Sequence, residues 1–191
     1  MSQFTKAEID ADMAMLTDKI ASGGTVIASS SDLLKKSFFI PALSILLSLV
    51  NTWTFYYINS LRYKYAYSEG YVEFLTSDGL FVLIPTVIIG LLFSIMTYNN
   101  LLIYLTISDD VRKKSLILGH LEKIVFRTVV FFLGLMILSV VLSGFISWFA
   151  FGIPALEFAL FLVLNMIVGM EINRLGAGVA LEKISNLIKK I

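Results

Sequence analysis

The chain has 191 residues, 58% of them hydrophobic and only 15% charged, with 15 Lys and Arg against 14 Asp and Glu. A soluble domain typically carries about 45–50% apolar and about 25% charged residues, so too few polar groups are present here to cover a soluble surface. The even charge balance argues against the basic face of a nucleic-acid binder. The lack of cysteine excludes a disulfide framework, a thiolate metal site and a cysteine nucleophile.

Charge gathers in short stretches between long apolar runs. That pattern predicts an all-α, polytopic membrane protein with four transmembrane helices and amphipathic cytosolic helices. Residues 1–36 are expected to form a polar cytosolic arm. It is not read as a secretory signal, because its start is polar and acidic and no long apolar run comes before about residue 37. Thr5 and Glu8 have capping-box spacing. Ile9, Met13, Leu16 and Ile20 then recur at helical spacing opposite Asp10, Asp12, Asp18 and Lys19, and Ser22-Gly23-Gly24 ends the helix. This stripe either packs on the rest of the chain or docks a partner.

The first span is expected over 37–58, with Lys35 and Lys36 at its inner end and Trp53, Tyr56 and Tyr57 at its outer end. Its length of about 33 Å crosses a hydrocarbon core of about 30 Å. Residues 59–79 read as a loop, in which Tyr63, Tyr65, Tyr67 and Tyr71 alternate with polar residues as in a short strand or an interfacial segment; with the arm's stripe, these tyrosines are the candidate partner contacts. The second span, 80–107, is longer than a straight crossing needs. Residues 108–126 are charged, with Ser108 or Asp109 as the cap of a short amphipathic helix. The third span is expected over 128–151 and the fourth over 155–174, joined into a hairpin by a tight Gly152-Ile153-Pro154 turn. Residues 175–191 form a cytosolic amphipathic tail. The loop after the first span holds two basic residues, Arg62 and Lys64, and the 152–154 turn holds none. The other thirteen lie on the arm, the 108–127 segment and the tail, so the positive-inside rule places both termini in the cytoplasm.

Few residues offer chemistry. No catalytic residues, metal ligands or cofactor-binding residues are assigned. His120 has no second His or Cys beside it, which favours a packing role. Glu157 opens the fourth span, where a carboxylate complements the helix dipole and reaches the headgroups. Glu171 and Arg174 have the i,i+3 spacing of an ion pair. Asn51, Thr52, Asn99, Asn100, Ser139, Ser143 and Asn165 lie within spans, where such side chains usually hydrogen-bond across helices. The competing reading has Asn51, Asn99, Asn100, Asn165 and Glu171 lining one path.

The arm reads E-I-D-A-D-M-A-M-L-T-D-K-I-A-S-G-G from Glu8 to Gly24, ahead of Lys35, Lys36 and the first span. It resembles the start of inner-membrane entry-exclusion proteins of F-type conjugative plasmids, over about the first forty residues and in general hydropathy. The resemblance implies a non-enzymatic protein of a bacterial inner membrane that blocks redundant plasmid transfer by recognising a donor mating-pair protein. It supplies no motif residues. The function expected is therefore that of a membrane interaction protein with the bilayer, a protein partner and a second copy of itself as its contacts. The alternative is a small oligomeric channel or transporter subunit.

Overall fold

The computed structural model describes residues 4–22, 25–63 and 70–176. Tyr65, Tyr67 and most of the 175–191 tail lie outside the described residues. The elements in chain order are α1 (Lys6–Ala21), α2 (Ser30–Arg62), α3 (Tyr71–Phe74), a π turn (Leu75–Gly79), α4 (Leu80–Thr106), α5 (Asp109–Lys114), α6 (Leu116–Ser143), a 3₁₀ turn (Ser147–Phe151) and α7 (Gly152–Arg174). Four helical stretches are long and apolar enough to cross a membrane: Ser30–Arg62, Tyr71–Thr106, Leu116–Ser143 and Ser147–Arg174. The protein is thus all-helical and membrane-embedded. Its central helix is α2, which packs against α4, α6 and α7.

The helices outrun the apolar segments. α2 begins seven residues before position 37, and α6 begins at Leu116, so Glu122, Lys123 and Arg127 ride on its first turns. A charged turn that projects beyond hydrocarbon is as good a helix former as an apolar one. The 59–79 segment is less of a loop than its polarity suggests. Glu73 takes the N–H of Gly70 at 2.7 Å and starts α3, whose Tyr71 and Phe74 rings pack at a tilt against Tyr56, at 5.6 and 5.4 Å. The π turn, with Thr76 and Ser77 bonded back to carbonyls of α3, then carries the helix into α4. No strand occurs among the described residues, although Thr25 bridges Ile107.

The hairpin of the last two spans also turns elsewhere than expected. α6 ends at Ser143 and α7 starts at Gly152, so Gly152-Ile153-Pro154 is the first turn of a helix. Proline fits there because the first N–H groups of a helix have no partner within it.

The arm is tied to the bundle. Thr5 and Glu8 form the expected capping box, and the Thr5 N–H and hydroxyl hold the Glu8 carboxyl below the usual range. Leu16 and Ile20 pack with Ile107, Val111 and Leu118, while Ile9 and Met13 pack on Ile117 and Leu175. The stripe that could have docked a partner is covered by the chain's own helices. Asp12, on the predicted polar face, is buried. Its carboxylate accepts from Ser115 Oγ at 2.8 Å, Leu116 N at 3.1 Å and Ile117 N at 3.0 Å. It caps α6 from outside that helix and satisfies donors that would otherwise be orphaned. Replacing a capping Asp by Ala costs about 0.5–2 kcal/mol. Asp12→Ala should therefore lower the thermal midpoint in detergent and speed proteolysis of the arm, whereas Asp10→Ala on the exposed face should do neither.

Candidate functional site

In lipid, apolar side chains gain nothing by facing one another rather than acyl chains, so the inward face of a helix is free to be small and polar. The buried face of α2 shows this: Ser37, Pro41, Ser44, Ser48, Asn51 and Thr52. Its lipid-facing positions are Phe39, Leu46, Val50 and Trp53. α4 presents Thr86, Gly90 and Ser94 to the interior, and α6 presents Met136, Ser139 and Ser143. A polar seam thus runs along the inward face of α2, beside an apolar cluster of Phe93, Phe132 and Leu160. Thr86 Oγ1 donates to Val82 O at 2.8 Å and to Ser48 Oγ at 3.4 Å, and Thr52 Oγ1 meets Tyr71 OH at 3.1 Å.

At one end the seam grips the last connection. Asn51 Nδ2 donates to Ala150 O at 2.7 Å, and Ser139 Oγ donates to Phe149 O at 3.2 Å. Ser139 lies one turn before the end of α6, so the 3₁₀ turn folds back beside that last turn. The absent Cβ of Gly152 makes this possible, since a side chain there would strike Ser139 Oγ. α7 consequently starts inside the bundle, and Glu157 lies about 7.5 Å deeper still.

This changes the reading of Glu157. It does not reach the headgroups: it is 0% exposed, between α7, α2 and α4. A Cβ on Gly90 would lie 3.0 Å from Pro41 Cβ and 3.2 Å from Glu157 Oε1. Ser44 is its hydroxyl neighbour. Neither carboxyl oxygen has a hydrogen-bond partner within geometric limits. Between residues 37 and 61, 80 and 106, and 128 and 170, Glu157 is the only Asp, Glu, Lys, Arg or His. An ionisable side chain inside a membrane is costly, and such residues commonly mark function.

The other candidates do not converge on it. Of the residues expected to line one path, Asn51 is buried at the connection, whereas Asn99, Asn100 and Asn165 are exposed on the outside of the bundle. Asn165 Nδ2 donates to Phe161 O of its own helix at 2.7 Å. Glu171 sits at the arm end, 2.7 Å from Arg174 as the i,i+3 spacing predicts. His120 of α6 brings its Nε2 within 3.5 Å of the same carboxylate, and the ring of Phe4 meets the imidazole edge-on at 5.2 Å. The cluster joins the arm to α6 and α7. His120 is a second neighbour of the Glu171 carboxylate that sequence reasoning missed, because the two are 51 positions apart in the chain. Among the described residues no three His, Asp or Glu side chains gather to hold a metal ion.

Compared with family models, curated proteins and solved structures, the chain matches none of them. Its site therefore has to be read from its own geometry.

Two substitutions test that geometry. Gly90→Ala should push α2, α4 and Glu157 apart and cost about 1–3 kcal/mol. Gly134→Ala, with nothing within 4 Å of the added carbon, should be neutral or slightly stabilising. Unfolding in mixed micelles compares them. Asn51→Ala removes the side-chain donor to the buried Ala150 carbonyl and should cost about 1–3 kcal/mol in the same assay.

Proposed function

We propose that the chain is a non-enzymatic, multi-pass interaction protein of a bacterial inner membrane with both termini cytoplasmic. Its role fits conjugative entry exclusion, in which a donor mating-pair protein is recognised and redundant plasmid transfer blocked. The observation that supports recognition outside the bilayer is the end of the bundle away from the arm. There Trp148 is 85% exposed, and Phe145, Ile146 and Tyr63 are exposed with it. The Arg62 guanidinium lies 5.4 Å from the Phe145 ring centroid. Exposed aromatic residues and Arg are the types that anchor protein interfaces. Tyr71, the other described tyrosine predicted for this role, is tied inward to Thr52 and to the Leu49 carbonyl. The arm's stripe is covered, so the partner surface shifts to Tyr63, Phe145 and Trp148. Nucleic acid is not among the proposed partners.

A second copy is a further proposed contact. Asn165 places an amide on the lipid face of α7 beside the exposed Leu162 and Met166, and amides in hydrocarbon favour a facing helix. The alternative, a small oligomeric channel or transporter subunit, is favoured by the buried Glu157.

Photo-crosslinkers at Trp148, Tyr63 and Met166 test the reading in mating cells. Trp148 and Tyr63 should each capture one donor protein, Met166 should capture a second copy, and recipients carrying the chain should accept the cognate plasmid at least tenfold less often. Capture of lipid alone at Trp148 and Tyr63, with unchanged transfer, overturns it.

A further inference from the structure

The buried carboxyl calls for an account that goes beyond partner recognition and does not rest on it. We propose that Glu157 is an intramembrane proton-binding site, a carboxyl that keeps its proton at neutral pH in the closed bundle.

The groups facing it supply no countercharge. From α2 these are Pro41 and Ser44, and from α4 Gly90. From α6, Met136 Sδ lies 4.0 Å from Ser44 Oγ. The tyrosines of the spans, Tyr56, Tyr57, Tyr98 and Tyr104, stand two or more turns away along their helices from Ser44 and Gly90. A carboxylate in this place would be an unpaired charge with two unbonded oxygens, which costs several kcal/mol. A carboxylic acid avoids that cost and gains a donor, and Ser44 Oγ, otherwise in only a long contact with sulfur, can accept from it.

The surroundings also suit exchange of the proton. Pro41 has no N–H, so the Ser37 carbonyl four residues earlier lacks its helix donor. That oxygen lies along α2 toward the arm end. Gly90 lets Pro41 and the Glu157 carboxyl approach the α4 backbone closely. The site thus combines one titratable group and a hydroxyl acceptor in an otherwise chargeless interior. Its ligand is a proton.

Infrared spectroscopy of the full chain in lipid vesicles tests the proposal. At neutral pH, where exposed carboxyls are ionised, wild type should keep a carboxylic-acid C=O band. Carboxyl-¹³C glutamate should shift that band, E157Q should remove it, and Ser44→Ala should move it to higher frequency. No glutamate acid band in wild type at neutral pH overturns the proposal, and that measurement does not depend on a variant folding. So does conversion of the band to carboxylate on adding sodium or potassium, which would make this a metal-cation site. A band that E157Q leaves in place overturns the assignment to Glu157.

Discussion

The inward face of α2 is what the rest of the bundle is arranged around. In hydrocarbon a helix gains little by hiding leucine, but a great deal by finding partners for hydroxyls and amides and by letting backbones approach. α2 therefore turns Ser37, Pro41, Ser44, Ser48 and Asn51 inward and leaves its large apolar side chains to the lipid. Ser37 bonds back to its own helix at the Leu34 carbonyl, and the other four each meet a different neighbour. Pro41 meets α4 at Gly90, Ser44 meets α6 at Met136, Ser48 meets Thr86, and Asn51 holds the connection before α7. One face thus orders three helices.

The depth of Glu157 depends on this arrangement. A longer or looser connection after α6 would start α7 nearer the headgroups and put its carboxyl in reach of water. The observed turn is pulled back into the bundle by Asn51 and Ser139, through a position where only glycine fits. The chemistry of the site is therefore set by side-chain hydrogen bonds to backbone carbonyls two turns away. The arm end is organised differently, with charged and apolar contacts side by side. Asp12 caps α6, and Glu171 links α7 to His120.

Much of the architecture was legible in the sequence, for physical reasons. Four apolar runs give four spans because length and hydropathy alone decide crossing. The Thr5–Glu8 box and the Glu171–Arg174 pair were legible because they are local. Helix rotation was not. A span that is apolar on every side carries no moment to say which face is inward, so Asn165 and Asn99 read as interior residues and face outward. One clue was available: 37, 41, 44, 48 and 51 alternate in steps of four and three, a seam of small and polar residues inside an apolar helix. Asp12 read as solvated because its partners lie more than a hundred positions on. Glu157 read as superficial because nothing near it in sequence reveals a connection that folds inward.

The cap that Asp12 supplies also has a consequence in time. Its donors lie 103 to 105 positions further along the chain. At about 5–20 residues per second, a ribosome needs on the order of ten seconds to reach them. During that interval α1 has a finished apolar stripe and a carboxylate without their cover, and the nearest apolar phase is the bilayer surface receiving the first span. The arm is thus made well before the donors that hold it, and its seat exists only once the chain has reached the start of α6.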